Sequence, residues 1–203
     1  MDNDINIRTA LYDDIPLIHA MAEVVFRQTY ARILSPEQME FMMDWMYSEE
    51  NLREQMDSGH QYFLAFVSGR PAGYASVQPD GYISDRPDAP APAKSGGLSS
   101  AQTDVPAALS DGLGGEVRAL FHLQKLYVMP EFQGQGLGLR LFDRVVSSVA
   151  PSAPCSIELN VNRSNPAVTF YEHIGMRRLR QGDFPIGHGF YMNDYIMGLD
   201  IDR

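Results

Sequence analysis

The stretch that most constrains this chain is Gln133-Gly134-Gln135-Gly136-Leu137-Gly138. Before it, Val117 to Val128 reads as a strand. After it, Gly136 to Ala150 reads as an amphipathic helix, and Ser156 to Val161 as a strand with Ile157, Leu159 and Val161 on one face. Strand, glycine turn, helix and strand make a βαβ unit. Three glycines at this junction let the backbone approach a ligand closely and leave helix N-terminal N–H groups aimed outward. Such a place favours an anionic group, held by amides and the helix dipole without a basic side chain.

Two familiar phosphate loops do not fit. A Walker loop needs Gly-Lys-Ser or Gly-Lys-Thr, and neither occurs. A dinucleotide fingerprint needs its third glycine three residues after the second, where Leu139 stands, although Glu158 lies at a plausible distance for a ribose. The remaining alternative is a glycine-rich turn without a ligand.

The rest of the chain supplies an α/β context. Ile5 to Arg8 reads as a short strand, and Asp13-Asp14 with Pro16 opens a helix through Tyr30 that buries Ile15, Ile18, Ala22, Val25 and Phe26 on one face. Ser35-Pro36-Glu37-Gln38 carries a capping serine, a first-turn proline and Gln three residues on, so a second helix runs to about Tyr47. Its Met39, Met42, Met43, Trp45 and Met46 read as core, with a pliable substrate or subunit surface as the alternative. Ser48 caps a third helix, Glu49 to Asp57, ended at Gly59. Gln61 to Val67 and Ala72 to Val77 flank the turn Ser68-Gly69-Arg70-Pro71 as an antiparallel hairpin. A short helix runs from Asn165 or Pro166 through His173, and Arg177 to Arg180 and Phe190 to Leu199 are the last strands. From Pro79 to about Gly115 the chain turns to Pro, Ala, Ser, Gly and Asp, which reads as a flexible insertion looping out of one domain spanning 1–203.

Composition narrows the partners. A formal net charge of −10, with no run of Lys or Arg, argues against nucleic acid and agrees weakly with a cationic small molecule. Cys155 is the only cysteine, so no intrachain disulfide forms and a reducing, cytoplasmic setting fits. The acidic start Met1-Asp2-Asn3-Asp4 lacks the features of a secretory signal, no apolar run is long enough to span a bilayer, and no membrane association is expected. The five histidines are scattered without a metal-ligand spacing, so no metal is expected.

The glycine loop and its flanks resemble the GNAT superfamily of acyl-CoA N-acyltransferases, whose motif runs Gln or Arg, two residues, Gly, one residue, Gly or Ala. Gln133, Gly136 and Gly138 match it. Leu123-Gln124-Lys125-Leu126-Tyr127-Val128-Met129-Pro130 looks like the strand that leads into the loop. Leu159-Asn160-Val161-Asn162, Asn165-Pro166-Ala167, Phe170-Tyr171-Glu172 and Gly175-Met176 look like the second half. Thr29-Tyr30, Ser35-Pro36-Glu37-Gln38, Gly59-His60 and Met192-Asn193-Asp194-Tyr195 are similar to a bacterial subgroup that resembles spermidine/spermine acetyltransferases.

The resemblance implies a mixed, mainly antiparallel twisted sheet flanked by helices, and transfer of an acetyl group from acetyl-CoA to a primary amine of a small molecule, a polyamine being the best single guess. It implies that the main chain of Leu126, Tyr127 and Val128 pairs with the pantetheine arm, that Gln133, Gly134, Gln135, Gly136, Leu137 and Gly138 take the pyrophosphate, and that Asn165 contacts the cofactor or caps the helix before Pro166. It further implies that an amide such as that of Val128 stabilises the oxyanion and that Tyr171 protonates the leaving thiolate. Some polyamine acetyltransferases carry Glu where Gln124 stands, and an amide is no useful base. His122, Glu158 and a water chain are the substitutes, while His60 and Asp194 lie near the acceptor end by the same likeness. Amino acids, aminoglycoside-like compounds and protein N-termini stand as alternative acceptors, and a non-catalytic acyl-CoA-binding module and a homodimer stay open.

Overall fold

The computed structural model describes residues 4–84 and 117–202. Seven strands, β1 (Ile5–Thr9), β2 (Gln61–Val67), β3 (Arg70–Ser84), β4 (Val117–Val128), β5 (Cys155–Asn162), β6 (Arg177–Gly187) and β7 (Phe190–Ile201), form one sheet in the order β1-β2-β3-β4-β5-β7-β6. Every neighbouring pair is antiparallel except β4 and β5. That parallel pair needs a crossover, which helix α4 (Leu137–Val149) supplies. The mixed, mainly antiparallel sheet flanked by helices is as expected.

Two strands outrun their sequence pattern. β3 continues to Ser84 and pairs with β4 down to Val117, so residues 79–84 belong to the sheet and not to the insertion expected from Pro79. Pro79 and Gly81 flank a bulge at Asp80, where a long hairpin tolerates poor strand formers. The remainder of that insertion lies outside the described residues. β6 likewise runs beyond Arg180 to Gly187, carried by its antiparallel pairing with β7.

Helices cover both faces. α1 (Ile15–Tyr30), α2 (Pro36–Tyr47) and α3 (Glu49–Asp57) close one core with Tyr62, Leu64 and Tyr74. α4 and α5 (Ala167–His173) close the other with Phe63, Ala75, Leu123 and Ile157. The Ser35 and Ser48 hydroxyls accept from Gln38 N and Asn51 N, the capping read in the sequence. Met39, Met42 and Met43 are buried, while Trp45 stays exposed, so the methionine-rich helix is core along one side only.

At Gly73 the central strands touch closely. A Cβ there would lie 2.5 Å from Tyr127 O and 3.2 Å from Val128 Cα, both main-chain atoms. Gly73→Ala is therefore expected to force β3 and β4 apart and to lower unfolding free energy by about 3 kcal/mol. Denaturant unfolding measures it, and a loss under about 0.5 kcal/mol, the range of neutral surface changes, contradicts the packing argument.

Candidate active site

The site begins where β4 loses a neighbour. β4 pairs with β3 along its whole length, but with β5 only from Ala119–Cys155 to His122–Glu158. Past His122 the two parallel strands diverge, while β5 continues against β7 to Asn162. A bulge sits at the same point: Ser76 faces Lys125 and Val77 faces Leu123, leaving Gln124 as the extra residue. A bulge bends and twists its strand, which opens the sheet here. It also breaks the two-residue alternation, so Leu123 joins the core under α4 while Lys125 projects among the tyrosines of the opposite core.

The opening holds a cavity of about 660 Å³. Leu126, Tyr127 and Val128 line one wall, and Asn160, Asn165, Phe170 and Tyr171 the other. Met129 N–H donates to Ala72 O at 2.8 Å. By strand alternation the main-chain groups of Tyr127 then also face β3, and those of Leu126 and Val128 face the gap. Val128 O accepts from Gln133 Nε2 at 2.9 Å, which ties the glycine loop to the strand end.

Gln133, Gly134, Gly136, Leu137 and Gly138 line the same cavity, and Gln135 does not. Gly134 and Gly136 have φ of 73° and 76°, a left-handed conformation costly for residues with a Cβ, and open space lies where their side chains would be. Gly136 is the N-cap of α4 and offers no side-chain cap, so the first-turn amides of that helix point to the cavity without partners of their own. Gly138 faces the Phe170 ring, which a Cβ there would meet at an ordinary contact distance of 3.4 Å.

Tyr171 is buried, lines the cavity, and meets the Phe170 ring edge-on at 5.3 Å. Burial raises its phenol well above the ordinary tyrosine range, so it holds its proton at neutral pH. Asn165 Oδ1 accepts from Ala167 N at 2.9 Å, a local turn just ahead of the helix whose N-cap is Pro166, while the residue also lines the cavity.

A second cavity, about 310 Å³, lies between α2, α3 and the sheet, lined by Trp45, Met46, Glu54, Gln55, His60 and Gln78 among others. Gln124 and Lys125 line both cavities. Lys125 is buried, and among the described residues no carboxylate is bound to it: Nζ donates to Gln55 Oε1 at 2.6 Å, and the rings of Tyr47 and Tyr62 lie at 5.3 and 5.5 Å. Burial lowers its pKa to about 7. No periodicity or motif marks Lys125 as a site residue. Its place is made by the bulge at Gln124.

The substitutes for a missing strand carboxylate fare unequally. Glu158 is engaged by both terminal nitrogens of Arg180, at 2.8 and 3.3 Å. His60 and His122 are both pushed down to about 4, mainly by burial, and are neutral at pH 7. Asp194 sits on β7 opposite Asn162, with Oδ2 accepting from Asn160 Nδ2 at 3.3 Å and Oδ1 unpartnered.

Burial raises the Asp194 pKa to about 6. Between an unfolded value near 4 and that folded value the native state keeps a proton that the unfolded chain has lost. Stability therefore falls as pH rises through the window and stays lower above it. Asp194→Asn removes the buried charge and is expected to stabilise the protein at pH 7.5 by on the order of 2 kcal/mol, the gain vanishing towards pH 4. Melting curves at the two pH values test this, and a less stable variant at pH 7.5 contradicts it.

Residues 105–187 match the model of the acetyltransferase (GNAT) domain. That stretch carries the features of a GNAT acetyltransferase domain. Its donor is therefore acetyl-CoA, the acetyl source of that family. Solved structures agree in fold. The acetyltransferase superposes on the PaiA N-acetyltransferase of Thermoplasma acidophilum, solved in complex with coenzyme A, with a TM-score of 0.65, 19% identity, and coverage of 97% of this chain and 99% of that one. The ribosomal-protein-S18-alanine N-acetyltransferase of Escherichia coli gives 0.61 at 17% identity, with 98% and 95% covered. A GNAT-family acetyltransferase of Desulfovibrio desulfuricans gives 0.58 at 18%, with 97% and 99% covered. Among the described residues no helix is long and apolar enough to cross a membrane, and no group of three or more His, Cys, Asp or Glu is placed to hold a metal ion.

Proposed function

We propose that this acetyltransferase moves the acetyl group of acetyl-CoA to a primary amine of a small molecule, by direct attack within a ternary complex. The observation that carries the reading is the pair of cavities sharing Gln124 and Lys125: the larger suits a donor, the smaller an acceptor. Coenzyme A, the ligand in the Thermoplasma neighbour, fits the larger one by chemistry. Its pyrophosphate meets the Gly134–Gly138 loop and the free amides of α4, its amide-bearing arm runs along the open main chain of Leu126 and Val128, and Asn165 borders its path. The Val128 N–H faces the gap and can take the developing oxyanion, and Tyr171 can pass its proton to the departing sulfur. Tyr127 contributes through its position in the wall, its main chain being turned to β3.

A cavity of about 310 Å³ suits a small amine better than a polypeptide terminus. A polyamine is the first acceptor to test, supported by the net charge of −10 and by Glu54 in the smaller cavity. The buried, unpaired Cys155 agrees with a reducing, cytoplasmic setting.

Thiol release over a panel of polyamines, amino acids, aminoglycosides and peptide N-termini tests the reading. Turnover with small amines and none with peptides is the expected result. Saturable acetyl-CoA binding with no release on any amine reduces the protein to an acyl-CoA-binding module.

A further inference from the structure

We propose that Lys125, as its free amine, is the general base that takes the proton from the acceptor ammonium. This rests on the acetyl-transfer reading above. Three structural observations place the base here. Lys125 belongs to both cavities, at the bulge where the strand edge opens. Among the described residues no carboxylate hydrogen-bonds to it, its acceptor being the neutral Gln55 Oε1, which also accepts from Tyr62 Oη at 2.6 Å. Its neighbour Gln124 cannot accept a proton, and of the two residues that line both cavities Lys125 is the titratable one.

Burial keeps the amine neutral. The ring faces of Tyr47 and Tyr62 favour the ammonium that forms once it takes a proton, and His60 and His122 are uncharged at pH 7. Glu54 is the one carboxylate that lines the smaller cavity with it, and its side chain lies exposed at the rim. With its pKa lowered to about 7 by burial, Lys125 is matched to proton transfer at physiological pH.

The step balances without a co-reactant. The acceptor R–NH3+ gives one proton to Lys125, which becomes an ammonium, and the freed nitrogen lone pair forms the bond to the thioester carbonyl carbon. As the intermediate collapses, the C–S bond breaks and its electron pair leaves on sulfur. That thiolate takes a proton from Tyr171, which regains one from the acceptor nitrogen. The products are R–NH–acetyl and coenzyme A thiol, and Lys125 releases its proton to water.

The experiment compares wild type with Lys125→Met, a near-isosteric change in a site walled by aromatic rings. With a primary alkylamine, wild-type kcat/KM rises to a plateau above about pH 7, although the free amine is still protonated there. In Lys125→Met the rate at pH 7.5 falls roughly 100-fold and the plateau is replaced by a rise of unit slope that continues towards the pKa of the amine. Trifluoroethylamine, already unprotonated at pH 7, loses less than about threefold, because it needs no base. A merely structural lysine predicts equal losses for both amines and an unchanged pH profile, and that result overturns the assignment. Acetylation of Lys125 itself during turnover overturns it as well, since an amide nitrogen cannot serve as a base.

Should Lys125→Met not fold, the wild type gives an independent answer. Lys94 and Lys125 are the only lysines, so ¹³Cε-labelled lysine shows two signals. One titrating near pH 7 supports the base, and two titrating in the ordinary lysine range exclude it. A wild type that binds acetyl-CoA yet turns over no amine sinks the acetyl-transfer reading. Turnover with an unaltered profile in the variant sinks only the role of Lys125.

Discussion

Tyr171→Phe is expected to lower kcat at pH 7.5 on the order of 10³-fold while leaving acetyl-CoA affinity within about twofold. The variant keeps the ring that packs against Phe170 at 5.3 Å and removes only the hydroxyl, so the wall of the cavity persists. What disappears is a proton donor. Burial makes this phenol a weaker acid than tyrosine in water, so it stays protonated in the resting enzyme. In the proposed role it gives that proton to the departing thiolate. An interaction realised only as charge develops on sulfur lowers kcat and kcat/KM together. The deficit should shrink as pH falls, when hydronium substitutes as proton source. Steady-state kinetics from pH 6 to 9 decides it. Full turnover of Tyr171→Phe across that range removes the residue from the chemistry and leaves it a packing aromatic.

The second large effect separates shape from charge at the glycine loop. Gly136 has φ of 76° at the N-cap of α4, and asparagine and aspartate are the side-chain-bearing residues that best tolerate this conformation. Gly136→Asn and Gly136→Asp therefore introduce nearly the same volume and strain. They differ by one negative charge beside the free amides of the helix. If a pyrophosphate binds there, that charge repels it by about 2–3 kcal/mol at a separation of a few ångströms and an intermediate effective dielectric. Acetyl-CoA is expected to bind Gly136→Asp roughly 100-fold more weakly than Gly136→Asn, with the gap narrowing at high salt. Calorimetry on both variants measures the difference. Equal affinities mean that no anionic group sits on this loop.

The parts legible in the sequence are those whose physics is local. Ser35 and Ser48 announced two helix starts because a cap is a short-range hydrogen bond, and both bonds are formed. The βαβ unit was readable because glycines punctuate the switch from period two to period 3.6, and the expected strand Val117–Val128 is the strand found. The ends of β3 and β6 were not readable. Residues such as Pro79, Gly81 and Gly182 disfavour strand locally, and only the antiparallel ladders with β4 and β7 hold them in the sheet.

The residues that the resemblance named for the cofactor meet at one cavity: Gln133, Gly136 and Gly138 fall on one loop, and Tyr171 and Asn165 reach it from the second half of the chain. The smaller cavity was read only in pieces, His60 by the likeness and Trp45 and Met46 as an alternative surface. Lys125, Gln55, His60 and Trp45 come from β4, α3, the turn before β2, and α2, and no spacing relates them. Glu158 shows the opposite error, for a lone carboxylate in the sequence proves to be bound by Arg180 across the sheet.

By itself the sequence determined the element order and the glycine junction, because these rest on short-range backbone preferences and on one uninterrupted loop, while the donor was implied by the resemblance of that loop and its flanks to the GNAT superfamily. The tertiary structure alone decided that β4 and β5 part after His122, that the bulge at Gln124 sends Leu123 and Lys125 to opposite cores, and that a lysine is buried among tyrosines with no carboxylate bound to it among the described residues. Register between distant strands and the desolvation of one amine are properties of the packed sheet, and no local pattern encodes them.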